Sequence, residues 1–329
     1  MMEDYDSTLS YYQTLIENRL SELVQKREPN NLYSPIEYIL LDGGKRIRPL
    51  LCMLACEATG GDPFESVDAA VAVEIMHNFT LVHDDIMDNS PLRRGKTTIH
   101  LKWDLPTAIL SGDAMVGLAL EVLASYSNYT NFGKIIEQFA YGYIEVCEGQ
   151  ALDMLFNNRK DVTTDDYFHM VRKKTSAVIQ TSLVLGGLCA GAIEDDLENL
   201  KEFGLNLGIA FQLQDDYLDL KATDMKLGKR IGNDILEKKK TLMVLMAFER
   251  AKLEKDKSLL ERLYSPGEIP QELIPEFVEL FERLDVFNDV QETINSYFEK
   301  ASNALDNLSR NQGTKMLKYL LDKINVRSY

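Results

Sequence analysis

Phe211–Asp219 reads FQLQDDYLD, and it closes a stretch, Asp196–Leu220, whose apolar residues recur at helical spacing. Its aspartates Asp215, Asp216 and Asp219 interrupt residues that otherwise favour burial. On a helix, positions i and i+4 share a face, so Asp215 and Asp219 present paired carboxylates. A second copy, DDIMD at Asp84, Asp85 and Asp88, ends the apolar pattern Phe64–Asp88 and pairs Asp84 with Asp88. One acidic cluster at a helix end is ordinarily a solvated face. Two copies at matching register inside apolar helices point instead to a shared site. Crowded, desolvated carboxylates repel unless a cation lies between them. Oxygen-only ligands suit a hard ion, and magnesium fits best, because it takes one or two carboxylates together with waters and substrate phosphates.

The rest of the chain is also helical in pattern, and convincing alternating strands are absent. Periodicity and breakers predict helices over Tyr11–Lys26 (stopped by Pro29), from Pro49 to Gly60–Gly61, and over Pro106–Ser125, Asn131–Phe156 and Thr164–Ala190. A polar loop with Pro91, Arg93, Arg94 and Gly95 follows the first aspartate motif. Lys221–Lys238 reads as a loop, and more helices follow Lys239, with turns near Pro266, Pro270 and Asn311. The expectation is an all-α single domain over residues 1–329, a bundle of roughly ten or more helices around a central cavity.

Composition narrows the function. A net charge of −16 argues against nucleic acid as a partner. No run reaches the ~18–20 uninterrupted apolar residues of a membrane span, so no integral membrane segment is expected. The start, MMEDYDSTLS, is acidic and polar, and Cys52, Cys56, Cys147 and Cys189 read as core thiols in a reducing compartment. These features predict a cytoplasmic protein.

Basic residues accompany both motifs. The turn DGGKRIRP carries Lys45, Arg46 and Arg48 but lacks the GK[ST] ending of a nucleotide P-loop. Arg93 and Arg94 follow the first motif, and paired guanidiniums suit phosphate. Lys229, Lys238, Lys239 and Lys240 follow the second; a lysine run is usually a solvated face, but its place after a carboxylate rim favours phosphate. His77 lies two helical turns before Asp84 on nearly the same face and so points to the same pocket. Glu74-x-x-His77 matches half of a di-iron bundle site, but the second such pair is missing, and that reading is rejected. His83, His100, His169 and Trp103 read as packing or surface residues.

Together these residues resemble the trans-isoprenyl diphosphate synthases, or polyprenyl synthetases. The resemblance runs from about Leu32 to Leu242, with GGKRIRP, HDDIMDNSPLRRG, Lys174–Thr175, FQLQDDYLD and LGKRIGNDILEKKKT in the family's order. It implies a short-chain enzyme of isoprenoid-synthase fold, resembling geranylgeranyl and farnesyl diphosphate synthases, that joins isopentenyl diphosphate to an allylic diphosphate. By that resemblance Asp84, Asp88 and Asp215 hold three magnesium ions. Arg93, Lys174, Gln212, Lys229 and Lys239 contact the allylic substrate, and Lys45, Arg48, His77 and Arg94 bind isopentenyl diphosphate. Thr175, at a helix break, helps place a carbonyl beside the developing cation. Asp84, Asp215, Lys174, Thr175 and Gln212 form the catalytic set, and a homodimer is expected. Lys238 departs from the pattern, since the family commonly has glycine there, and the backbone before Lys239 is less free.

Product length follows from the helix below Asp84. Thr80 lies about 6 Å and Met76 about 12 Å below it, both near its face, whereas Phe79 is ~140° round. The resemblance nevertheless marks Phe79 as a length gauge. Small Thr80, with Phe79 and Met76 beneath, predicts mainly a C20 product, with C15 second. A class I terpene cyclase would not need the second diphosphate's residues, and a non-catalytic regulatory subunit could have lost one aspartate motif. Both motifs are intact here.

Overall fold

The computed structural model describes residues 5–157, 159–221 and 232–326. Lys229 lies outside them, as does most of the predicted Lys221–Lys238 loop. Helix α1 spans Tyr5–Val24 and buries Leu9, Tyr12, Ile16, Leu20 and Leu23, a stripe at three- and four-residue spacing. Then come α2 (Asn30–Leu40), α3 (Ile47–Ala58), α4 (Val67–Met87), α5 (Ile99–Lys102), α6 (Leu105–Leu123), α7 (Phe132–Phe156) and α8 (Thr164–Val171). A π-helical turn over Arg172–Ser176 joins α8 to α9 (Ala177–Cys189), and α10 runs from Glu194 to Lys221. The chain ends with α11 (Asn233–Leu236), α12 (Leu242–Arg250), α13 (Glu254–Glu261), α14 (Ile274–Arg283), α15 (Val286–Asp306) and α16 (Gln312–Asn325).

Local chemistry sets these limits. Asp104 caps α6 by accepting from the Thr107 N–H at 2.7 Å, with Pro106 in the first turn. Thr163 and Asp166 form a reciprocal capping box at the start of α8. Asn311, expected at a turn, caps α16 through the Thr314 N–H.

Helix α9 organises the molecule. All its residues except Gln180 are buried, as a helix apolar all round requires. It packs against α3, α4, α7 and α10, so the two aspartate helices flank one central element. At Gly186 a Cβ would lie 2.0 Å from the Cys52 carbonyl oxygen, so glycine lets α9 and α3 touch backbone to backbone. Buried apolar residues from Leu9 to Ile324 form one continuous cluster.

Several expectations are corrected. Helix α2 was not foreseen, because Pro29 caps it with extended backbone as well as ending the preceding segment, and Pro35 lies inside it. The first aspartate helix starts at Val67; Pro63–Ser66 form a 3-10 turn begun by Asp62, which accepts from the Phe64 N–H. The loop after it contains a small hairpin, Leu92–Arg93 paired with Lys96–Thr97. Thr164–Ala190 is continuous but carries the π turn, so Thr175 sits in a widened turn, where a break was expected. Helix α11 forms within the segment read as loop. Leu105–Tyr126 is long and apolar enough to cross a membrane by length and composition, but α6 buries residues such as Met115 and Leu118 and packs against α4 and α2, as a core helix does.

Candidate active site

Asp84, in the last turn of α4, and Asp215, near the end of α10, line one cavity of about 410 Å³. Arg48, His77, Phe79, Thr80, Arg93, Lys174, Thr175 and Gln212 line it too. The fold therefore brings together most of the residues picked out in the sequence. Burial pushes the Asp84 carboxyl up to about 6, with Lys174 opposing and Asp88 reinforcing the rise.

The middle aspartate of each motif is taken by protein donors. Arg93 Nε donates to Asp85 Oδ1 at 2.8 Å. Tyr167 OH and Gln212 Nε2 donate to the two oxygens of Asp216 at 2.7 and 2.8 Å, while burial pushes that carboxyl up to about 6. Asp219 also holds the backbone: its Oδ2 accepts from the Asp234 N–H, and its carbonyl from the Gly232 N–H, fixing the start of α11. Asp88 is the C-cap of α4 and is exposed. Partial desolvation raises its carboxyl, and Lys239 and Lys174 act against that rise.

No three His, Cys, Asp or Glu side chains among the described residues converge closely enough to hold an ion alone. The donors facing the cavity are nevertheless carboxylate oxygens on opposite helices, and burial of Asp84 outweighs the charge that Lys174 and Arg93 supply to its anion. That set fits a divalent ion that keeps waters and takes phosphate oxygens as its other ligands.

The basic side divides in two. His77 is held neutral, far below its usual range, by burial first and then by Arg48, Arg94 and Arg93. Arg48 Nη1 lies 3.1 Å from His77 Nε2. Arg94 does not line the cavity; its Nη1 donates to the Gly43 carbonyl at 3.1 Å, and Lys45 is exposed on the same turn. Arg46 is structural: it is buried and donates to Glu74 Oε1 at 2.5 Å and to the Leu40 carbonyl at 2.7 Å. That pairing also removes Glu74 from any metal set.

On the other side, Lys174 Nζ donates to Asp153 Oδ2 at 2.6 Å, and Thr175 Oγ1 donates to Gln212 Oε1 at 2.7 Å. These groups adjoin a smaller cavity of about 70 Å³ that contains Lys239, Lys240 and Asp234. Burial opposes the Lys239 ammonium, but Asp234 and Glu237 keep it charged well above the usual range.

A model of the family described as polyprenyl synthetase matches residues 29–280. The chain belongs to the polyprenyl synthetase family. Among its relatives is a short chain isoprenyl diphosphate synthase of Methanothermobacter thermautotrophicus, 35% identical over 100% of both chains. A geranylgeranyl diphosphate synthase of Methanosarcina mazei is 37% identical over 95% of each. Among solved structures, a geranylgeranyl pyrophosphate synthetase from Pyrococcus horikoshii superposes with a TM-score of 0.91 at 35% identity, covering 99% of this chain and 100% of that one. A Caulobacter crescentus polyprenyl synthase complexed with calcium and isoprenyl diphosphate gives 0.89 at 29% identity, covering 99% and 98%.

In this polyprenyl synthetase, sequence reasoning missed part of the wall. His83, read as packing, lines the cavity. Its Nε2 lies 3.3 Å from the Ile109 carbonyl. Cys147, read as core, is exposed and lines the cavity, whereas Cys52, Cys56 and Cys189 are buried thiols. Met76 is buried but does not line it. Gln150, Met154 and Phe211 do. Phe211 shares the face of Asp215 one turn away on α10, a spacing the sequence did offer, whereas Gln150 and Met154 meet the aspartates only through tertiary packing.

Lys238 adopts φ +60°, the left-handed conformation in which the family's usual glycine is at ease. Its ammonium donates to the carbonyls of Ser265 and Gly267, which offsets strain of about 1 kcal/mol.

Proposed function

We propose that this chain is a trans-prenyltransferase that extends an allylic diphosphate with isopentenyl diphosphate, mainly to the C20 product geranylgeranyl diphosphate. The observation that carries this is the cavity itself, with Asp84 and Asp215 at opposite walls, cations beside each and apolar side chains between. Asp84, Asp88 and Asp215 are the residues that would hold magnesium, expected as three ions, which supplies neutralising charge to the departing diphosphate.

In this reading Arg93, Lys174, Lys239 and Lys229 position the allylic diphosphate, and Lys45, Arg48, Arg94 and neutral His77 bind that of isopentenyl diphosphate. Arg93 would then exchange its Asp85 bond for phosphate or share it. Thr175 and Gln212, bonded to one another, brace the widened turn beside the reacting carbon. The apolar wall keeps water from the cation once the carbon–oxygen bond has broken. The isopentenyl double bond attacks, and a proton leaves to complete the trans double bond. No protein nucleophile is needed, and the released diphosphate is the base. The chain is taken as one domain acting as a homodimer in the cytoplasm, without nucleic acid or an integral membrane segment. Free, mostly buried thiols support a reducing compartment.

The test is condensation of labelled isopentenyl diphosphate with C5, C10 and C15 primers. C20 should dominate. Asp84→Ala and Asp215→Ala should each cut turnover by about a hundredfold or more with helical content intact. Full turnover in either, or turnover in excess chelator, would sink the reading.

A further inference from the structure

Gln150 lies outside the set of residues read from the sequence, yet it lines the cavity with Asp84, Thr175 and Asp215 and is only 6% exposed. Its Nε2 donates to Met87 Sδ at 3.6 Å. Its Oε1, closed off from solvent, accepts no hydrogen bond among the described residues. A thioether offers no donor, so Met87 fixes which end of the amide is nitrogen. The neighbouring residue anchors the position: a Cβ at Gly149 would lie 2.3 Å from the backbone nitrogen of Lys174, so α7 touches the widened turn there. Gln212 is different, since its amide accepts from Thr175 and donates to Asp216. A buried carbonyl without a donor destabilises the fold. A positive charge arriving in the cavity would give that oxygen a partner.

We propose that Gln150 is a further catalytic residue, whose amide carbonyl stabilises the allylic cation. This rests on the prenyl-transfer reading above. The allylic C1–O bond breaks with its electron pair leaving on diphosphate, and the positive charge spreads over C1 and C3. The isopentenyl double bond supplies the pair for the new C–C bond, and a proton from isopentenyl C2 passes to diphosphate. Gln150 gains and loses nothing. Its dipole acts only after charge has formed, so it favours the transition state over bound substrate.

The experiment uses the full chain carrying Gln150→Met or Gln150→Leu. Both should fold cooperatively with a melting temperature above that of the parent, because an unsatisfied polar group is gone. Both should lose about tenfold or more in kcat, with KM for either substrate within about twofold. Slow hydrolysis of the allylic diphosphate without isopentenyl diphosphate, which reports ionisation alone, should fall by the same factor. Unchanged kcat and hydrolysis, a loss confined to KM, or a kcat loss with lowered melting temperature would overturn the role of Gln150. A parent enzyme that condenses no primer would overturn the prenyl-transfer reading and this inference together.

Discussion

Lys240 shows how a single residue in this site is tuned. It is 5% exposed, its Nζ donates to the Lys238 carbonyl at 3.1 Å, and it stands 4.0 Å above the Tyr264 ring. Burial first, and then Lys238, push its ammonium down to about 8 from an ordinary 10.5. Between those values the unfolded chain holds the proton and the native chain does not, so this group makes stability rise with pH across that window. Lys240→Met should therefore be more stable than the parent at pH 7, and the gap should narrow steadily between pH 8 and pH 10. Urea midpoints at pH 7, 9 and 10 would show it; a gap constant with pH would contradict the assignment. The sequence offered Lys240 only as one of a lysine run. Its burial comes from Tyr264 and the turn beneath, which no local pattern announces.

Where α4 meets α7, the proposed floor of the cavity is a contact between elements. The Phe79 ring lies 4.7 Å from His83 and 5.2 Å from Tyr143. Helical arithmetic put Phe79 on the flank and Met76 near the face of Asp84; in the structure Phe79 lines the cavity with its ring against Tyr143 of α7, and Met76 does not line it. Thr80 lines the same space, its hydroxyl returned to the His77 carbonyl. Phe79→Ala should lengthen the products past C20 at a cost of about 3 kcal/mol in stability, and Thr80→Phe should shorten them. Chromatography of the dephosphorylated alcohols reads both, and an unchanged distribution in Phe79→Ala would move the floor elsewhere. The helices themselves were largely legible. Asn131–Phe156 was expected and Phe132–Phe156 is found, because strong periodicity survives folding. Helix α2 was hidden by Pro29 and Pro35, which signal breakage locally and are accommodated here at a cap and at the middle of the helix.

At the scale of the molecule, apolar side chains remain on the outside. Ile109, Leu110 and Leu120 on α6 are 43%, 57% and 44% exposed, and Tyr141 and Ile144 on α7 are 50% and 54% exposed. Two helices consecutive in the chain that carry such residues suit an isologous contact between copies. Light scattering should give a mass near twice 37.4 kDa, and Leu110→Glu with Ile144→Glu should shift it toward one chain. A parent that runs as a monomer at micromolar concentration would contradict this. The sequence signalled such a surface only through the apolar richness of these helices. Which residues stay outside depends on how α4 and α9 claim the other faces. The acidic halves of the site were legible because carboxylates stand out in apolar helices. His83 and Gln150 were not, since each looks ordinary until another helix is laid against it.

The widened turn at Arg172–Ser176 has one residue more than a continuous α-helix would use over the same rise. Deleting exposed Arg172 would heal the helix, and by backbone geometry alone the shorter chain should melt higher. Yet the deletion would keep both flanks in place only by drawing Lys173–Ser176 into an ordinary α-helical turn, which re-aims their side chains by part of the ~100° step between neighbouring residues. Lys174 and Thr175 could then no longer both meet Asp153 and Gln212 while α9 kept its place in the core. The extra residue acts as a spacer in the count: it lets the site-facing register of Lys174 and Thr175 and the core-packing register of α9 downstream coexist in one unbroken rod. A chain tidied by that single omission should be the sturdier protein and an idle one.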